Sequence, residues 1–157
     1  MHPTVPVWPF AILAVLLALG HRQSLDRTVR PATLAKIAIV MGVLSLAGVA
    51  TAFGMGMVSV LAWATGLAAA VLLGGPAFAP RGLAFDGEGV RVPGSWVPLG
   101  LMMGIFMTKF GLGFAAGTGA HVLQESWFIA LVSAAFGFFS GALTARAVAV
   151  HRFIQAR

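Results

Sequence analysis

One lysine, Lys109, lies deep within an apolar segment, where its charge could bind an anion or carry a proton. It lies twelve residues after Val97, in the run Gly104-Ile105-Phe106-Met107-Thr108-Lys109-Phe110. A charge facing lipid at this depth costs about 3 kcal/mol or more. Three interpretations stay open: extension toward the outer headgroups, a structural pairing, or a role with a substrate or protons. The candidate ligand or ion-pathway residues are Lys109, Thr108, Glu125 and His121.

A second candidate site is a run of basic residues after the first apolar segment. It consists of Arg22, Arg27, Arg30 and Lys36. Such a cluster can hold anionic lipid headgroups. It can equally serve only to orient the protein in the membrane.

Other chemistry has little support in the sequence. Histidines fall in two pairs, His2 with His121 and His21 with His151, but they lie at the ends of apolar segments, whereas haem ligands in membranes are usually within them. The chain has no cysteine, which excludes disulfides and thiolate sites. No Walker loop, zinc-ligand spacing, paired catalytic carboxylates or nucleophile–base set occurs. We therefore expect no metal, no cofactor and no catalytic residues.

The elements that must position these residues are membrane helices. Of the 157 residues, 59% are hydrophobic and only 9% are charged, and a soluble protein of this size has too little interior to hide so much apolar surface. The net charge of +6 might suggest nucleic acid, but the basic residues lie between apolar runs rather than on one folded face. The bilayer is the expected partner, and no nucleic acid is expected.

Five apolar segments are long enough to span a bilayer, for which about 20 residues are needed. They cover approximately residues 5–20, 33–53, 57–73, 97–116 and 126–150. We therefore predict an all-α membrane fold, a five-helix bundle forming one integral membrane domain. The first segment has no basic residue before it and no cleavage site after it, so we expect it to be retained.

The distribution of lysine and arginine predicts the orientation. Nine of the ten lie on one side of the predicted bundle, and the tenth is Lys109. Residues 1–4, 54–56 and 117–125, on the opposite side, contain none. The positive-inside rule then predicts an external N-terminus and a cytoplasmic C-terminus.

The loop between the third and fourth segments has the alternation of a β-hairpin. Residues 83–85 and 90–92 flank the turn residues Asp86-Gly87-Glu88-Gly89. If Phe85 pairs with Val90, then Leu83, Phe85, Val90 and Val92 share one apolar face. We predict that this face lies against the bundle or the headgroup plane.

Small residues recur at helical spacing in the predicted spans. Ala134, Gly137, Gly141 and Ala145 form one stripe, and Gly66, Ala70 and Gly74 form another. Such patterns allow helices to approach closely in lipid. They favour packing within the chain, and homodimerisation is the alternative.

Four short segments carry a family resemblance. They are Leu19-Gly20-His21-Arg22-Gln23, Ser45-Leu46-Ala47-Gly48, Pro93-Gly94-Ser95-Trp96-Val97-Pro98-Leu99, and Gly104-Ile105-Phe106 through Lys109. Together they resemble a family of small bacterial inner-membrane proteins of unknown function. Members often have tyrosine after that lysine, and Phe110 departs from this pattern. The first span is also loosely similar to CcdC-type membrane proteins, which are linked to cytochrome c maturation.

These observations favour a multi-pass protein of the bacterial inner membrane with a non-enzymatic accessory or binding role. Its expected partners are the bilayer, anionic headgroups, and a second copy or another membrane protein. The alternative function is a small oligomeric transporter or channel that uses Lys109. A polar cavity around Lys109 would favour transport, whereas lipid or a buried acid beside it would not.

Overall fold

The computed structural model describes residues 8–87 and 89–156 and has five long helices. These are α1 (Trp8–Gln23), α2 (Pro31–Phe53), α3 (Met57–Leu72), α5 (Val97–Gly117) and α6 (Ser126–Gln155), and α4 (Gly75–Phe78) is a single turn. The five predicted helices are therefore present. Predicted positions 5–7, His2, Glu88 and Arg157 lie outside the described residues.

Three strands form a small antiparallel sheet at one end of the helices. They are β1 (Arg27–Val29), β2 (Ala84–Asp86) and β3 (Gly89–Val92), in the order β1-β3-β2. Phe85 pairs with Val90, which confirms the predicted hairpin and its register. β1 comes from the loop after α1 and adds a third strand that the sequence analysis missed.

The apolar face of the sheet packs on the end of α6. Val90 and Val92 of β3 are buried against Val150, and Phe85 stacks on Phe153 with 4.9 Å between ring centroids. This packing explains why α6 continues to Gln155, five residues beyond its predicted end. We call this end of the bundle the sheet end. The opposite end, formed by residues 54–56 and 117–125, is the distal end.

The close contact of α3 with α6 organises the helices. A Cβ atom at Gly66 would lie 2.1 Å from the carbonyl oxygen of Ala134, and one at Gly137 would lie 1.9 Å from that of Trp63. At Gly141 the corresponding distance to the carbonyl oxygen of Leu67 is 2.5 Å. The two predicted small-residue stripes therefore pack on each other within the chain. α2 and α5 also contact α6, and α1 packs on α5.

Much of the outer surface is apolar. Ile39 and Val43 on α2 are 68% and 63% exposed, and Phe114 on α5 is 68% exposed. Three helices are long and apolar enough to cross a membrane: Ala32–Phe53, Val97–Gly117 and Ser126–Gln155. The helix Met57–Leu72 is apolar but shorter, with 16 residues.

Candidate functional site

The Lys109 side chain crosses from α5 toward α2 and α6. Its ammonium nitrogen lies 5.9 Å from the centre of the Phe136 ring, within range of a cation–π interaction. A Cβ atom at Gly48 of α2 would lie only 3.7 Å from the same nitrogen. The ammonium group therefore lies beside α2 at Gly48, in a position where an added Cβ atom would be in ordinary van der Waals contact with it.

Lys109 lies in the half of α5 nearer the distal end, eight residues, or about 12 Å of helix, before Gly117. Its two neighbours on other helices are Gly48, five residues before the end of α2, and Phe136, ten residues after the start of α6. Lys109 is therefore several residues away from the distal end of every helix that it contacts.

An apolar cleft of about 150 Å³ runs from Lys109 toward the sheet end. It lies between α2 and α5, and α6 forms its floor. Its lining residues are Met41, Leu44, Ser45, Ile105, Lys109, Phe136, Ser140 and Leu143. On each of the three helices, the residue beside the ammonium group (Gly48, Lys109 or Phe136) is nearer the distal end than the other cleft residues of that helix. The charge therefore lies at the distal end of the cleft, and the apolar walls lie on its sheet-end side.

The two hydroxyl groups of the cleft already donate hydrogen bonds. Ser45 and Ser140 both donate to the carbonyl oxygen of Phe136, each at 2.9 Å. Trp63 Nε1 in turn donates to Ser45 Oγ at 3.0 Å. These bonds fix the cleft walls. Among the described residues Lys109 has no carboxylate within ion-pair distance, because the one ion pair found there joins Asp26 and Arg91.

The other residues proposed with Lys109 are elsewhere. Thr108 donates to the carbonyl oxygen of Gly104 in its own helix at 2.8 Å. Glu125 immediately precedes α6 and His121 lies in a short 3₁₀ turn (His121–Gln124), and both are exposed at the distal end. On α6, Ser140 lines the cleft with Lys109, whereas Gly137 contacts Trp63 of α3.

The basic cluster lies around β1 at the sheet end. Arg22, Arg30 and Lys36 are exposed, and Arg27 within the strand is half-buried. Asp26 stands among them, a residue that the sequence analysis did not single out. Its carboxylate accepts hydrogen bonds from the Gly94 N–H at 2.8 Å and from Arg91 at 3.0 Å. The Gly94 bond first, and then Arg91, hold the pKa of Asp26 below its usual value.

The proline-glycine-serine-tryptophan segment joins the two sheet-end loops. A Cβ atom at Gly94 would lie 1.7 Å from the carbonyl oxygen of Ser24, so only glycine allows this approach. Ser95 Oγ accepts the Val97 N–H at 3.2 Å, at the start of α5. The Trp96 and His21 rings are 6.4 Å apart, centre to centre.

The four segments that carry the resemblance therefore meet in two pairs. Ser45 and Gly48 meet Lys109 at the cleft. His21 meets Trp96 at the sheet end. The four segments could have been singled out in the sequence, but only the fold shows that they meet at the cleft and at the contact of His21 with Trp96.

The fold and the cleft define a helical bundle with a small sheet at one end and at least three helices that could cross a membrane. The chain belongs to DUF6622, a family of unknown function whose profile matches residues 1–157. No curated protein and no solved structure matches the chain, so the likeness to CcdC-type proteins is not shown.

Proposed function

We propose that this is a five-span inner-membrane protein that binds an anionic amphiphile, without catalysis, in the cleft below Lys109. The observation that carries the proposal is the unneutralised ammonium of Lys109 at one end of an apolar cleft. A molecule with an acidic head and one acyl chain matches both features. The acid would pair with Lys109, and the chain would follow the cleft toward the sheet end.

The bundle supports five spans in alternating directions. All five long helices run between the sheet end and the distal end, and the predicted cytoplasmic loops meet in one sheet. α1 and α3 have 16 residues each, or about 24 Å, and a local thinning of the bilayer accommodates this mismatch at modest cost. With the sheet end in the cytoplasm, Lys109 lies in the half of α5 that crosses the outer leaflet.

Neither a second copy of the chain nor a whole partner helix fits the cleft as well. The four acidic residues, Asp26, Asp86, Glu88 and Glu125, all lie outside the predicted spans, so a second copy offers no carboxylate at the depth of Lys109. An α-helix is about 10 Å in diameter with its side chains, and one turn of it exceeds the cleft volume of about 150 Å³. An acyl chain is much thinner, so part of its length can lie in the cleft.

Transport is the weaker alternative. A pathway for ions needs polar groups along its length, because unsolvated charge is costly in hydrocarbon. Most of the cleft walls are apolar, and the Ser45 and Ser140 hydroxyls already donate to Phe136. A flux of protons or anions into liposomes that disappears in Lys109→Met would favour transport over binding.

Quenching of Trp63 fluorescence by dibromostearate tests the binding proposal, because Trp63 is hydrogen-bonded to the cleft residue Ser45. Trp8, Trp96 and Trp127 are first changed to Phe. We expect saturable quenching whose affinity falls at least tenfold in Lys109→Met, since a hydrogen bond to a charged group contributes about 1.5–3 kcal/mol. Lys109→Arg should keep most of the affinity.

Two controls test whether the quenching depends on the charge of Lys109 and on the acid group of the probe. Lys36→Met removes the chain's other lysine, which is exposed near the sheet end, and should leave quenching unchanged. The methyl ester of dibromostearate has no charge, so its quenching should not depend on Lys109. Equal affinities of Lys109→Met and the parent protein for the free acid would refute the proposed site.

A further inference from the structure

A second cationic pocket, distinct from the cleft, opens at the sheet end. Its volume is about 200 Å³. Two arginines, Arg81 and Arg146, line it together with the segment that connects β3 to α5. The remaining lining residues are Ala77, Ala79, Pro80, Pro93, Gly94, Ser95 and Val97.

The charges of this pocket are not neutralised within the described part of the chain. Arg146 donates to the carbonyl oxygen of Phe78 at 3.1 Å, and neither arginine has a carboxylate within ion-pair distance there. Arg27 of β1 is close enough to repel Arg146 electrostatically. Two guanidinium groups therefore line the pocket itself, and no carboxylate among the described residues pairs with either of them.

The two acids described at the sheet end already accept hydrogen bonds from other groups, although Asp26 does so at the pocket-lining Gly94. Asp26 accepts hydrogen bonds from Gly94 and Arg91, and Asp86 accepts one from Thr28 at 2.6 Å. The amino end of α5 at Val97 also borders the pocket and adds the positive end of a helix dipole. The walls, the helix end and the arginines all favour an anion.

We propose that this pocket binds a phosphate group through Arg81 and Arg146. Guanidinium groups present paired N–H donors that match the oxygens of phosphate. Two sources share this chemistry: the headgroup of an anionic phospholipid in the leaflet next to the sheet, or a free phosphate compound. The residues differ from the exposed run Arg22, Arg30 and Lys36 because Arg81 and Arg146 line one pocket.

The test uses the full chain in detergent, carrying Lys109→Met so that the cleft does not contribute. One arm measures the rise in melting temperature as inorganic phosphate is titrated at constant ionic strength. The other arm counts phosphatidylglycerol molecules retained in native mass spectra, with phosphatidylcholine as the neutral reference. A response to phosphate alone identifies a free phosphate compound, and retention of phosphatidylglycerol alone identifies a lipid headgroup.

In whichever arm responds, Arg81→Gln and Arg146→Gln should each weaken binding at least tenfold. Arg81→Gln is the cleaner variant, because Arg81 is exposed and donates no hydrogen bond that fixes the fold, whereas Arg146 holds the Phe78 carbonyl. Arg152→Gln removes an exposed arginine in the last turn of α6, at the same end of the bundle, and should bind as the parent does. No response to either probe, or equal binding by Arg81→Gln and the parent, would overturn the proposal.

Discussion

Gly137→Ala is expected to destabilise the protein more than alanine at any other helical glycine. The new Cβ atom would lie 1.9 Å from the carbonyl oxygen of Trp63, which is backbone and cannot rotate away. α3 and α6 would have to separate, and the facing contact of Gly66 with Ala134 would be lost with it. Overpacking typically costs about 1–3 kcal/mol, and we expect a loss of about 3 kcal/mol here.

Gly113→Ala in α5 is the matched control. Nothing lies within 4 Å of the Cβ atom that it adds. Alanine is favoured over glycine in helices by about 1 kcal/mol, so this variant should be as stable as the parent or more stable. Unfolding of the purified protein by increasing fractions of dodecyl sulfate measures both changes. Similar unfolding midpoints for the two variants would show that α3 and α6 do not touch as described.

Gly94→Ala is expected to have the second largest effect. Its Cβ atom would lie 1.7 Å from the carbonyl oxygen of Ser24, so the two loops at the sheet end must move apart. That movement also breaks the hydrogen bond from the Gly94 N–H to Asp26. We expect a loss of about 2–3 kcal/mol and faster hydrogen exchange in residues 24–29, which contain β1.

Gly87→Ala separates this effect from ordinary backbone strain. Gly87 has φ +61° in the β2–β3 turn, and nothing lies within 4 Å of its added Cβ atom. The left-handed conformation alone costs about 1–2 kcal/mol for alanine, and exchange should rise at the turn rather than at β1. Unchanged hydrogen exchange of residues 24–29 in Gly94→Ala would show that Gly94 does not hold the two loops together.

The sequence predicted the helices because each of them is a long apolar run, and glycine, proline or charged residues separate these runs. It also predicted the β2–β3 register, because alternation over Phe85 and Val90 allows only one arrangement that puts both on the same face. Helical spacing of the small residues predicted close packing within the chain, whereas the structure alone shows that the two stripes face each other.

The remaining features depend on contacts between distant segments. β1 has three residues, too few to show any periodicity, and only β3 gives it a partner. Asp26 has no local signal for its bond to Gly94, which lies 68 residues further along the chain. The Lys109 ammonium lies beside Gly48 and Phe136 on two other helices, and no pattern within α5 reveals these neighbours.

The leaflet that each proposed site faces depends on which end of the bundle is in the cytoplasm. The chain has no cysteine, so single cysteines can be labelled in intact cells without background from the protein. Gln124→Cys at the distal end and Ala84→Cys in β2 are suitable, because both residues are exposed. A membrane-impermeant maleimide should label Gln124→Cys in intact cells, and Ala84→Cys only after the inner membrane is opened. Labelling of both cysteines in intact cells, or of Ala84→Cys alone, would contradict the five-span bundle with a cytoplasmic sheet.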